Sequence, residues 1–93
     1  MSGTTRSSAD LDPRRRRLLF HAWHRGTREM DLLLGRFADE TISDLTDDEL
    51  EAFEALMGVP DPELYGWLAG SAPIPPNWDG PLLRRIISFH TPT

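Results

Sequence analysis

Cysteine is missing altogether from this 93-residue chain, which excludes disulfides, thiolate metal sites and cysteine nucleophiles. No apolar run approaches the roughly 18 residues that a membrane span needs, so direct membrane insertion is not expected. The polar start, Met1 to Asp12, lacks the apolar segment of a signal peptide, and Asp10 and Asp12 speak against a transit peptide. A cytoplasmic protein is the expectation. Lysine is absent too, and residues 37–83 carry eleven acids and no base. Gly-x-Ser-x-Gly elbows and phosphate-cradling glycine motifs are also missing, so neither a serine hydrolase nor a dinucleotide site is expected.

What remains is small and acidic. With the first dozen residues set aside, about 80 are left, and a domain of that size buries only about 60% of its unfolded surface. A core and a deep substrate cavity compete for the same few side chains, which favours a binding module over an enzyme. The net charge of −5 hides an asymmetry: residues 1–36 hold eight Arg against four acids. Each of these Arg can engage a carboxylate in a planar, two-pronged contact.

Helix signals run the length of the chain. Asp12-Pro13 pairs an N-cap with proline at the first helical position. Leu19, Ala22 and Trp23 then share an apolar face, Arg14, Arg17 and His21 another, and Gly26 ends or bends the helix. A second helix is predicted from Thr27 to Thr41, with the stripe Met30, Leu33, Leu34 and Phe37 inward. Thr46-Asp47-Asp48-Glu49 is a capping-box pattern opening a third, with Leu50, Phe53, Leu56 and Met57 inward and Gly58 as the stop. Asp61-Pro62 repeats the Asp-Pro start for a fourth, which carries Leu64, Tyr65, Trp67 and Leu68 and stops at Gly70. Residues 71–81 read as an extended prolyl connector anchored by Trp78. Pro81 starts a fifth helix with Leu82, Leu83, Ile86, Ile87 and Phe89. No period-2 strand or Asn-Gly hairpin is visible. The expected fold is all-α, a compact five-helix bundle over residues 13–93 behind a disordered tail at 1–12.

Several clusters could carry chemistry, and each has a plainer explanation. Arg14 to Arg17 could meet phosphates, but in an acidic chain without a nucleic-acid motif it fits better as a solvated helix start or a docking point for an acidic protein surface. His21 and His24 stand at ligand spacing, yet two ligands are too few for a metal. The acids Asp44, Asp47, Asp48, Glu49, Glu51 and Glu54 are mostly explained by helix starts, where the dipole favours negative charge. In the second helix, Glu29, Leu32 and Arg36 fall opposite Met30 and Leu33, leaving Leu32 as an exposed apolar residue. That face is either a docking surface or solvated surface with one stray leucine.

Arg25-Gly26-Thr27-Arg28-Glu29 fits an Arg-Gly-x-x-Glu signature. It is set between Arg16-Arg17-Leu18-Leu19-Phe20 and Met30-Asp31-Leu32-Leu33-Leu34-Gly35-Arg36-Phe37-Ala38. Downstream follow Leu45-Thr46-Asp47-Asp48-Glu49-Leu50, Phe53-Glu54-Ala55-Leu56, Asp61-Pro62-Glu63-Leu64 and Trp67-Leu68. Over residues 14 to about 90 the chain resembles the succinate dehydrogenase assembly factor 2 family, called flavinator of succinate dehydrogenase in bacteria. The resemblance implies a non-catalytic, five-helix assembly factor. Its partner would be the flavoprotein subunit of succinate dehydrogenase or fumarate reductase, and its role to promote covalent attachment of FAD to a histidine there. FAD would be the client's cofactor, with none held by this chain. Carried over, the partner-binding residues are Arg25, Gly26 and Glu29, with Arg17, Arg28 and Asp31 as neighbours. No catalytic, cofactor-binding or metal residues are implied, and a monomer is expected. The short polar N-terminus suggests a bacterial, cytoplasmic member ahead of a mitochondrial-matrix one. Bacterial relatives also carry an older label as antitoxins of toxin–antitoxin pairs, which is the second reading. The long prolyl connector departs from the shorter linker of several relatives.

Overall fold

The computed structural model describes residues 9–90. Five α-helices follow one another: α1 Pro13–Trp23, α2 Arg28–Thr41, α3 Asp47–Leu56, α4 Asp61–Ala69 and α5 Pro81–His90. A single 3₁₀ turn, Pro76–Trp78, interrupts the connector before α5, and no strand occurs among the described residues. The all-α five-helix bundle read from the sequence is the observed fold.

Three starts form as their residues dictate. Asp12 caps α1 by accepting from the Arg15 amide, and Thr27 caps α2 by accepting from the Met30 amide at 3.3 Å. Thr46 and Glu49 exchange backbone and side-chain bonds in a complete capping box. Asp61-Pro62 behaves differently from Asp12-Pro13. Pro60 is the N-cap of α4, without a side-chain bond, and Asp61 is the first helical residue. Its carboxylate is thereby released for a long-range contact described below. Gly70 ends α4 in the left-handed conformation, φ 78°, where a Cβ would be strained.

The core is one cluster drawn from every helix, with Trp23, Met30, Leu34, Phe37, Phe53, Leu64 and Ile86 among its members. Helices α1 and α2 make its most extensive pairing. They run antiparallel, since Arg15 near the start of α1 donates to the Ile42 and Leu45 carbonyls beyond the end of α2, at 2.9 and 2.6 Å. Gly35, in mid-α2, is what lets them close. A Cβ there would sit 2.3 Å from Cδ2 of Trp23, whose indole lies on the glycine and donates to Asp39 at 3.0 Å. Gly66 also lies inside a helix, so glycine here does more than end helices. Trp78 anchors the connector as expected, packing on the core with its ring centroid 5.8 Å from that of Trp67.

Several side chains are placed otherwise than the pattern suggests. Leu32 is part-buried against the core, not exposed, and Leu33, expected inward, is likewise only part-buried. Helix α2 contacts both α1 and α5, so its buried arc is wider than one stripe. Arg15 is a part-buried brace between the start of α1 and the segment after α2, not a solvated helix start. Leu11 is buried in the core and Arg16 donates to its carbonyl, so packing begins before residue 13; of the tail expected at 1–12, residues 1–8 lie outside the described residues.

Candidate functional site

The Arg25–Glu29 segment forms the link between α1 and α2. His24 closes α1, Gly26 turns the chain at φ 111°, and Thr27 opens α2. Only glycine adopts that φ without strain. The turn is tied at its base by Asp31, which accepts from the Arg25 amide at 2.7 Å.

The Arg25 side chain turns inward. Its Nη1 donates to the Met57 carbonyl at 2.6 Å, Nη2 to the Val59 carbonyl at 2.7 Å, and Nε to Asp61 Oδ1 at 2.9 Å. With 11% of its side chain exposed, Arg25 is a clasp between the α1–α2 link and the α3–α4 link. Charge-assisted bonds of this kind are about twice as strong as neutral ones. They also satisfy two carbonyls just past the end of α3, where the helical ladder supplies no partner.

That clasp fixes what faces outward. Gly26, Arg28 and Glu29 are exposed beside one another, and nothing stands within 4 Å of where a Gly26 side chain would begin. Among the described residues the Glu29 carboxylate has no ion-pair or hydrogen-bond partner. Thr27, Glu29 and Met30 of the α2 start and Asp61, Pro62 and Tyr65 of the α4 start line a shallow depression of about 410 Å³. Tyr65 is 43% exposed.

Thus Gly26, Arg28 and Glu29 share the surface, while Arg25 and Asp31 build the turn beneath it. Arg17 lies elsewhere: its charge acts on Glu54, which the hydrogen bonds of Arg14 above all, and then Arg17, hold below the ordinary carboxyl range. Glu54 is therefore explained by a two-pronged contact with Arg14, at 3.0 and 2.9 Å, and not by a helix start. The basic run is dispersed by these contacts, with Arg14 on α3, Arg15 on the Ile42 and Leu45 carbonyls and Arg16 on Leu11. His24 stacks on Phe20, with centroids 3.9 Å apart. Among the described residues no three His, Cys, Asp or Glu stand where they could hold a metal ion. Asp61 and Tyr65 are the neighbours that sequence reasoning missed, since they lie more than 30 positions from the signature and their local signals mark only the fourth helix.

The family model described as the flavinator of succinate dehydrogenase matches residues 16–90. The chain belongs to this family. It is 45% identical over 78 residues to the FAD assembly factor SdhE of Acetobacter pasteurianus, covering 84% of this chain and 72% of that protein. It is 32% identical to the mitochondrial succinate dehydrogenase assembly factor 2 of Dictyostelium discoideum, over 84% of this chain and 55% of the relative. The corresponding protein of Saccharomyces cerevisiae is 31% identical over 96% of this chain and 57% of its own length. The chain thus spans just over half of these two eukaryotic relatives. The flavinator match includes the whole of the Arg25 clasp and the depression beside it. Among the described residues no helix is long and apolar enough to cross a membrane.

Proposed function

We propose that this chain is an assembly factor that binds the flavoprotein subunit of succinate dehydrogenase and promotes covalent attachment of FAD to it. Membership of the flavinator family carries this reading. Fumarate reductase, with a related flavoprotein subunit, is a second client. The chain acts in the cytoplasm of a bacterium, as a monomer, and holds no cofactor of its own.

The chain supplies binding, not catalysis. FAD and the residue that becomes bonded to it belong to the client, and the chemistry is theirs. A partner that binds the closed, attachment-competent arrangement of the client more tightly than the open one raises its population by that ratio of affinities. Each tenfold preference is worth about 1.4 kcal/mol. A surface can discriminate in this way only if it is itself well defined. The clasp of Arg25 onto Met57, Val59 and Asp61 supplies that definition. It holds Gly26 and Glu29 outward on a turn braced from two sides.

The test is co-production with the flavoprotein subunit, reading covalent flavin as fluorescence of the client band in a denaturing gel. Wild-type chain should raise the signal well above the client alone, and Glu29→Ala should lose most of that gain. Glu29 is exposed and, among the described residues, unpaired, so its truncation should cost at most about 0.5 kcal/mol of stability. Equal fluorescence with and without the chain would end the proposal.

A further inference from the structure

We infer that the depression between the starts of α2 and α4 receives one long cationic side chain, Arg or Lys, from the flavoprotein surface. This rests on the docking role proposed above and specifies what that surface recognises. Three observations carry it. First, the depression is lined mainly by carbon: Met30, Pro62 and the half-exposed ring of Tyr65. Such a wall suits the methylene stem of a long side chain, which buries its carbons while its charged head finds a polar partner. Second, that partner is present and unused. Glu29 lines the same depression and its carboxylate has no partner among the described residues. Asp61 on the opposite side is already neutralised by Arg25, so the acid left over is Glu29. Third, the surrounding charge has the right sign. The first turn of α2 carries Glu29 and Asp31 and that of α4 Asp61 and Glu63, four acids against Arg25, Arg28 and about half a positive charge from each helix start. Arg25 is committed inward, and Arg28, though exposed, does not line the depression. A guanidinium or ammonium group seated there would meet a carboxylate from the α2 start and a tyrosine ring from the α4 start, partners that favour a cation over an anion or a purely apolar group. Thr27, which lines the depression, follows Gly26 in the chain, and nothing stands within 4 Å of a Gly26 Cβ, so a client backbone passing the glycine can deliver the side chain.

The experiment measures the affinity of the chain for the FAD-loaded flavoprotein subunit at two salt concentrations. Four chains are compared, namely wild type, Glu29→Gln, Glu29→Lys and Tyr65→Leu, with a melting curve for each. A cationic occupant predicts at least a tenfold loss for Glu29→Gln and a larger one for Glu29→Lys. It also predicts weaker salt dependence once the carboxylate is gone, and a several-fold loss for Tyr65→Leu, which keeps carbon but removes the ring. If Glu29→Gln binds like wild type while Tyr65→Leu loses affinity, the occupant is apolar and the inference is wrong. If all three variants bind like a wild type that does bind the subunit, the depression lies outside the interface and only this inference falls. If wild type itself does not bind, the docking role falls with it. Should Tyr65→Leu melt early, the Glu29 pair still decides, since that side chain makes no hydrogen bond or ion pair among the described residues.

Discussion

Arg25 and Asp61 stand 36 residues apart in the chain and 2.9 Å apart in space, Nε to Oδ1. The pair is only partly screened by water, with 11% and 24% of the two side chains exposed, and Arg25 also holds two backbone carbonyls. Removing the countercharge alone should be costly, because a poorly solvated cation is left behind. Asp61→Asn is expected to destabilise the chain by about 1–2 kcal/mol, and Arg25→Lys by about 2 kcal/mol, since an ammonium cannot reproduce the fork that reaches Met57 and Val59 together. In a domain of this size each kcal/mol lowers the melting temperature by about 4–8 °C. Thermal melts of both variants check this. Wild-type stability for both would mean the clasp holds nothing.

Gly26 presents two demands at once. Its φ of 111° is one that L-residues adopt only under strain, and the space outside it is open. Gly26→Ala should therefore cost about 1–2 kcal/mol in the isolated chain and also weaken docking. A synthetic chain with D-alanine at this position separates the two, because the D-residue accepts a positive φ. Recovery of stability without recovery of flavoprotein binding would identify close approach of the partner's backbone as the second demand. Recovery of both would reduce Gly26 to a turn former.

Gly35 has the opposite surroundings. Its φ is unremarkable for a helix, but a Cβ would fall 2.3 Å from the Trp23 ring. Rigid indole carbons cannot give way as a flexible chain end can. Although alanine is the better helix former, Gly35→Ala should destabilise by about 2–3 kcal/mol through overpacking between α1 and α2. A chemical melt would show a lower midpoint, accompanied by altered Trp fluorescence. A stabilised variant would contradict the packing.

Acid should weaken the fold. The Thr46 amide holds the carboxyl of Glu49 below its ordinary 4.5, and the Arg14 guanidinium does the same to Glu54. The Arg15 amide lowers Asp12, and Arg84 lowers Asp79, from an ordinary 3.8. A carboxyl whose pKa is lower folded than unfolded contributes stability that is complete above the unfolded value and lost as pH falls through the folded one. The melting temperature should therefore be nearly flat from pH 7 to 5 and fall below about pH 4.5. Glu54→Gln should flatten part of that acid limb while costing less than about 0.5 kcal/mol at pH 7, since its ion pair with Arg14 is well exposed. A melting temperature that rises on acidification would show that relief of repulsion among the acids dominates.

The sequence by itself determined the helices, because their signals are local. Caps such as Asp12 and Thr46 act on amides three residues ahead, and apolar stripes repeat within one or two turns. It also carried the signature at Arg25–Glu29, since five consecutive residues need no fold to be read. Only the tertiary structure decided what those residues do. Arg25 sits in an exposed-looking, polar segment, yet the meeting of two interhelical links turns it inward. The same dipeptide, Asp-Pro, caps one helix at Asp12 and at Asp61 gives up its carboxylate to the clasp. Arg15 looked like solvated surface until the end of α2 supplied two carbonyls for it. Gly35 and Trp23 signal nothing to one another along the chain; their contact exists because α1 and α2 pack antiparallel. Local free energies of capping and periodicity are fixed by neighbours in sequence, whereas burial, countercharge and steric fit are properties of neighbours in space.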